Sequence, residues 1–581
     1  MSSSQLVLAY SFCQPQPRDQ LEIRARHASS HLSGLFRAEL RMVAAGDGRS
    51  GLIAWTPTDT AVGWKAVVTD DSRATVWLHV PSAAGLRESW ATEDGLADQL
   101  LGGGLRAGDL AAPFGLLRWS AGQLDIANDV LGLVRLFQME FDNARIWTTR
   151  PGLAHVFMGV EPTTNDLAWT GMASVGWALN GMTQLGHGRQ LPPASRITVT
   201  ADGTRTSIGD GFAQWFTDAR RTVVTPDDNV RDMRALLHTS RFWRDEPVAD
   251  LSGGKDSRAV AAVGLTSGAV RHVRTVATDH GEVDTAQRLV ALVGGSVRHT
   301  IIRPAGSRTV PATAFLERLL ARHRAWEGRY LATSAFNAPL FTGFRTEQSA
   351  RLNGLGGEFV AGAFFASGHW SERLSGAGPQ NALDRLAATA RGGLGVSDDA
   401  VAATIAGLQW LVPFASDIEA PSALAVLDLC YMLERMPYWS NTYATGSTLA
   451  PLLAASLLTV GAQHVGAAAP DGQVHLSIIR AAIPSWAEVP FYKPTRAGRA
   501  VPFIWETTEW AAVKSYLGKR LDRSMHHDPD AVRDALRAGD DLTGGKKQEF
   551  LFHRLLWELT FLEYVEELRR DAAGTARELT R

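Results

Sequence analysis

The spacing of apolar and polar positions changes character along the chain. From residue 1 to about 210, short β-rich runs are separated by turns: LVLAYSF (6–12), TAVGWKAVVTD (60–70), ATVWLHV (74–80), FGLLRWS (114–120), QLDIAND (123–129) and RITVTADGTRTSI (196–208). Such runs predict an antiparallel sheet domain. A helical pattern begins near Pro226 and runs to Arg241. At Val248 the order becomes strand, loop, helix and strand again. Val248–Leu251, Val273–Ala277 and Val297–Ile302 read as strands, and Ser257–Leu265 and Asp284–Val293 as helices. Strands alternating with helices predict a parallel, doubly wound sheet. From about residue 380 onward the pattern is mostly helical, and the glycine and polar residues between Ile208 and Pro226 mark the expected boundary. The most apolar later stretch, Leu449–Ala469, is interrupted by Pro451, Gln463 and His464, which predicts a buried helix and not a membrane span.

Composition narrows the class. A chain of 581 residues exceeds one ordinary domain and suggests roughly two to four. Its 45% hydrophobic and 20% charged residues describe a compact globular protein. The 58 basic side chains nearly cancel the 60 acidic ones, so no global field draws the chain to nucleic acid or an anionic membrane. Two cysteines, Cys13 and Cys430, form neither a disulfide framework nor a cysteine-based zinc site, and no basic n-region precedes the first apolar run. A cytoplasmic location is expected.

The most informative segment is Leu251-Ser-Gly-Gly-Lys-Asp-Ser-Arg258, placed between a predicted strand and a predicted helix. Adjacent glycines let a backbone approach an anion, a helix N-terminus presents free N–H groups, and Ser252 and Ser257 add hydroxyls. The loop suits pyrophosphate. Asp256 would repel phosphate unless a divalent cation lay between them, so the bound species reads as a magnesium nucleotide. A plain strand-to-helix turn would explain Gly253 and Gly254 but not the Ser, Asp and Ser at these spacings. The GxxxxGK[ST] spacing of kinases and GTPases is absent.

These residues resemble the SGGxDS pyrophosphatase loop of the adenylating family that includes asparagine synthetase and β-lactam synthetase. Leu352-Asn-Gly-Leu-Gly-Gly-Glu358 resembles that family's SGEGSDE segment, and Leu433-Glu-Arg-Met436 followed by Leu449-Ala-Pro-Leu-Leu453 resembles its acid-Arg-x-x-Met and RxPFLD elements, with Ala454 in place of the closing Asp. Lysine occurs seven times, and Lys493 in Val489-Pro-Phe-Tyr-Lys493 falls where the family has a lysine facing developing negative charge. In the first half, Leu124–Asp129 with Val130–Phe137, and Leu191–Gly203, resemble segments of glutamine amidotransferase domains. Those domains begin with a nucleophilic cysteine after the initiator Met; here position 2 is Ser, so the half is expected not to hydrolyse glutamine.

Within the family, the SGGKDSR and GLGGE forms and the ERM element look most like lasso peptide cyclases. The resemblance implies an α/β protein. Residues 1–210 would form an Ntn-hydrolase-like (glutamine amidotransferase-like) β-sandwich, and residues 225–581 a PP-loop ATP pyrophosphatase sheet with a helical extension. It implies ATP and Mg2+, with Leu251, Ser252, Gly253, Gly254, Lys255, Asp256, Ser257, Val276 and Gly354 at the nucleotide. Asp256 and Glu358 would hold the metal, and Lys493 would act in catalysis alongside them. Glu282 and Asp284 are further acids, either for metal or as solvated helix-start residues. The implied reaction is isopeptide closure of a leader-free core peptide, and the implied partners are that precursor, a leader peptidase and a leader-recognition protein. A β-lactam-synthetase-like or other small-molecule amide ligase is the alternative.

Overall fold

The computed structural model describes residues 6–36, 39–57, 67–70, 72–79, 93–203, 205–208, 211–277, 280–303, 315–330, 349–361, 373–391, 395–439, 448–467, 472–492, 503–524, 526–541, 543 and 545–580. Before residue 210 the strands are β1 (Leu6–Phe12), β2 (Leu40–Gly46), β3 (Ser50–Pro57), β4 (Val67–Asp70), β5 (Arg73–Leu78), β6 (Gly115–Ser120), β7 (Gln123–Asn128), β8 (Phe137–Phe141), β9 (Ala144–Thr148), β10 (Gly188–Gln190), β11 (Arg196–Val199) and β12 (Arg205–Ile208). They make two antiparallel sheets, ordered β10-β8-β9-β1-β3-β2 and β12-β11-β7-β6-β5-β4.

The central strand β1 shows why its run is continuously apolar. Val7 and Ala9 pack between the sheets with Val76, Leu117 and Ile126. Leu6, Leu8, Tyr10 and Phe12 face outward, against the helices Arg18–Phe36 and Pro151–Met158. Both faces are covered, so the polar half of the usual alternation is missing. The outer face of the second sheet, through Trp77 and Leu116, meets the helix Glu93–Gly102 and the later half of the chain.

One carboxylate organises the turn after β7. Asp129 is fully buried. It accepts hydrogen bonds from the backbone N–H groups of Leu131 (3.1 Å), Leu133 (2.9 Å) and Val134 (2.9 Å). Burial raises its pKa to about 6 against the opposing pull of those N–H donors.

The later half holds β13 (Asp245–Asp250), β14 (His272–Val276), β15 (Arg298–Ile302), β16 (Ser349–Leu352) and β17 (Thr448–Leu449). All are parallel, in the order β15-β14-β13-β16-β17. The helices Lys255–Thr266 and His280–Val293 connect the first three strands, as the alternating pattern predicts. The chain moves outward from β13 to β15, then returns to the other side of β13 as β16. Order therefore reverses between β13 and β16, the place in an open parallel sheet where ligands bind beyond the carboxyl ends of the strands.

Three sequence expectations are corrected. Residues 1–210 are more than strands and turns, since the helix Arg18–Phe36 buries Arg24, Ala25, Ala28, His31, Leu32 and Phe36, a mostly small or polar face that leaves no apolar stripe to read. The expected boundary holds an amphipathic helix, Gly211–Arg221, which buries Phe212, Phe216 and Ala219. The apolar stretch from Leu449 is not one helix: it contains β17, a short turn at Pro451–Leu453 and the helix Ala455–His464. No helix among the described residues is long and apolar enough to cross a membrane.

The halves are not separate in their packing. One core joins Val130, Trp169 and Met172 to Trp326 and to Trp557 and Phe561 of the C-terminal helix Lys546–Leu579. Buried polar ties cross the same joint: Arg150 and Glu327 pair at 3.3 Å, Gly152 N–H donates to Glu327 at 3.1 Å, and Arg554 donates to Ser174 O at 2.8 Å.

Asp129→Ala strands three buried N–H donors and is expected to cost about 3 kcal/mol in urea unfolding. Its raised pKa sets a sign as well. The native state holds this proton more tightly than the unfolded chain, so this group's contribution to stability falls as pH rises from about 4 through about 6. Asp129→Asn is expected to remove that slope, measured as unfolding midpoint against pH.

Candidate functional site

The loop Leu251–Gly254 leaves β13 at the switch point and turns into the helix Lys255–Thr266. Gly254 is the N-cap in extended backbone, with no side chain capping the helix, so the helix N-terminus lies at the end of the loop. The serines lock the turn: Ser257 Oγ lies 2.8 Å from Ser252 Oγ and accepts from Ser252 N–H at 3.1 Å, while Ser252 Oγ accepts from Gly254 N–H at 3.2 Å. Leu251 stays tied to the sheet, donating to Arg274 O at 2.8 Å and accepting from Thr275 Oγ1 at 2.7 Å.

The second glycine segment follows β16 directly across the reversal. Its glycines make room for Asp256. A Cβ on Gly354 would stand 2.6 Å from Asp256 Cβ and 2.8 Å from Ser257 N, and one on Gly357 would run into the Asp256 carboxyl group. Gly356, at φ +92°, takes the left-handed turn that lets the chain enter the short helix Gly357–Val360. That helix carries Glu358, whose carboxyl is pushed above its usual range, first by burial and then by the charge of Asp256, with Arg435 and Lys255 opposing. The Asp256 and Glu358 charges thus oppose one another, as those of acids do where a cation is to be shared.

Gly253 makes room for a neighbouring segment. A side chain there would collide with Tyr492, whose N–H donates to Gly253 O at 2.9 Å. The small residue admits a protein segment, whereas a Cβ on Gly254 would meet only Ser252 Oγ, at 3.3 Å, leaving that position open to an anion.

Arg258 explains how the segment is held. It is fully buried and donates to Val489 O, to Gly253 O at 2.9 Å, to Pro490 O at 3.1 Å and to Trp486 O at 3.4 Å. Its guanidinium also lies 4.7 Å from the Phe491 ring. Burial lowers its pKa to about 10, which leaves it charged at neutral pH. A strap from Trp486 to Tyr492 is thereby fastened to the glycine loop, and it leads directly to Lys493. Lys493 itself lies outside the described residues, as does Ser2.

Val276 ends β14 at the carboxyl edge of the sheet and is partly exposed. Glu282 is half-buried and Asp284 exposed on the next helix. The Leu433–Met436 element splits between two places. Burial lowers the Arg435 pKa against the charges of Tyr431 and Glu358, while Glu434 is buried, accepts from Asn180 N–H at 2.7 Å, and is raised to about 7 by burial. Glu434 also lines a cavity of about 340 Å³ between the halves, with Leu131, Pro193, Phe212, Arg329 and Trp410. Ala454 is buried in the apolar cluster of Leu452 and Leu457, where a carboxylate would lack solvent.

Two residues at this site escape sequence reasoning. Tyr492 adjoins a motif but has no pattern of its own. His475, fully buried in the helix Gln473–Ala482, places Nε2 2.8 Å from Asp256 Oδ1. A lone histidine in an apolar helix gives no signal.

Among the described residues no group of three or more His, Cys, Asp or Glu side chains is arranged to hold a metal. Two hard carboxylates beside an anion loop still fit Mg2+, which takes one or two protein acids and completes its shell with phosphate and water. Compared with protein-family models and with curated proteins, the sequence matches none.

Arg258→Met would leave four carbonyls without this donor, three of them in buried bonds, and is expected to cost about 3 kcal/mol. Hydrogen exchange should then quicken at the amides of 486–492, and unchanged protection there would contradict the fastening role.

Proposed function

We propose that the protein is an AMP-forming carbon–nitrogen ligase that closes an isopeptide ring in a lasso core peptide. The observation that supports this most is the interlock of two glycine segments across the strand-order reversal, with Asp256 seated between Gly354 and Gly357. The later half then reads as a PP-loop ATP pyrophosphatase and the first half as an Ntn-hydrolase-like sandwich lacking its cysteine nucleophile.

In this reading Ser252, Ser257 and the N–H groups from Gly254 onward hold the pyrophosphate portion of ATP, and the backbone near Val276 holds adenine. Asp256 and Glu358 hold Mg2+, which when bound offsets phosphate charge and favours departure of pyrophosphate. An Asp or Glu side chain of the peptide attacks the α-phosphorus, forming an acyl-adenylate as pyrophosphate leaves. The peptide's N-terminal amine then attacks the acyl carbon and loses a proton, and AMP departs. The peptide loses one water overall. Lys493 is assigned to the charge that develops in these steps.

Orientation carries much of the rate, since the tail must already be threaded when the ring closes. The cavity beside Glu434, about 340 Å³, is a space in which part of such a substrate fits. The precursor peptide, a leader peptidase and a leader-recognition protein are the proposed partners, in the cytoplasm. A β-lactam-synthetase-like ligase remains the second reading, because it shares the same loops and also needs no ammonia.

Incubation with ATP, Mg2+ and a leader-free core peptide is expected to yield AMP and a peptide lighter by one water. Asp256→Ala should lower AMP formation by about a thousandfold or more, as expected where a charge-stabilising group is lost. AMP formed with a β-amino acid substrate but not with peptide would favour the second reading.

A further inference from the structure

The helix Gln473–Ala482 begins against the glycine loop. Gly472, its left-handed N-cap at φ 76°, lies where an added Cβ would touch Phe491 and the Lys255 stem, at 3.4 and 3.5 Å. One turn in, His475 is wholly enclosed, and its Nε2 stands 2.8 Å from Asp256 Oδ1. The approach is close without being aligned as a hydrogen bond. Neither His475 Nδ1 nor Asp256 Oδ1 has another hydrogen-bond partner among the described residues.

An imidazole buried with one polar neighbour is costly as packing, because Phe would fill the space without desolvating two ring nitrogens. Asp256 gains from the arrangement. Its side chain is 31% exposed although Oδ1 is buried, so the exposure lies on the remainder of the side chain. Gly357 walls Oδ1 on one side and His475 meets it on the other. A carboxylate held by one oxygen presents the second in a fixed direction, and a partner of this kind orients a metal ligand without touching the metal.

We infer that His475 is a positioning residue that holds Asp256 Oδ1 and so commits the other carboxylate oxygen to a divalent cation bound with ATP. This rests on the ligase reading above. With Nε2 facing a carboxylate, the ring hydrogen belongs on Nε2. Gln can place an N–H donor at similar reach, whereas Phe matches the ring's shape and donates nothing.

The test is Mn2+ binding in the presence of ATP, read by electron paramagnetic resonance and independent of turnover. His475→Phe is expected to weaken Mn2+ binding about ten-fold and His475→Gln to stay within about two-fold of wild type. In an Asp256→Asn background the Phe substitution should add no further loss. Wild-type affinity in His475→Phe, or an equal loss in both backgrounds, overturns the inference. Failure of wild type to bind Mn2+ with ATP overturns the ligase reading and this inference together. Should His475→Phe not fold, 15N-histidine spectra of wild type decide it. The His475 ring signal, assigned with His475→Gln, must move when Mg2+ and ATP are added, and an unmoved signal overturns the inference.

Discussion

The close approach of Asp256 to Gly354 and Gly357 is the constraint on which the rest of the site depends. It joins a loop after β13 to a loop after β16, two segments roughly a hundred residues apart, at the place where strand order reverses. No larger residue fits at Gly357 without displacing the carboxyl group. Burial first and then the charge of Asp256 raise the Glu358 pKa, so the acid pair, the serine-lined turn and the helix N-terminus lie together at the reversal. Each part alone is a common structural device. Their convergence at a switch point supports reading them as a nucleotide site.

Around that contact the chain has built two supports. From one side Arg258 gathers four carbonyls and fastens the strap 486–492, so the loop cannot shift without moving the residues that lead to Lys493. The first half of the chain is the other support at larger scale. Its Val130, Trp169 and Met172 share a core with the C-terminal helix, and Arg150 and Glu327 pair across the joint. Whatever chemistry the first half carries, it has a physical reason to be kept, since removing it would expose this core and leave buried charges unpaired.

Legibility from sequence followed the strength of local signals. The run 6–12 is β1 to the residue, because a strand buried on both faces leaves an unbroken apolar string. The strand–loop–helix unit around Leu251–Arg258 was equally plain, since glycine, serine and a helix start occur together. The helix Arg18–Phe36 was not, because its buried face includes Arg24 and His31 and carries little apolar signal. The helix Gly211–Arg221 was hidden by the glycine and polar residues that flank its short aromatic run. Within the site, the two glycine motifs named Asp256 and Gly354, which the fold brings into contact. That Gly253 admits Tyr492 was not legible, and His475 stood outside every motif because it meets Asp256 through a contact between residues 219 positions apart.

The central claim is that the two glycine segments form one nucleotide site, and a crystal structure with Mg2+ and a non-hydrolysable ATP analogue tests it most directly. The account predicts phosphate density along Ser252–Ser257 and a cation on Asp256 and Glu358. Nucleotide bound elsewhere, or phosphates at this loop with Glu358 turned away and no cation on Asp256, would contradict it.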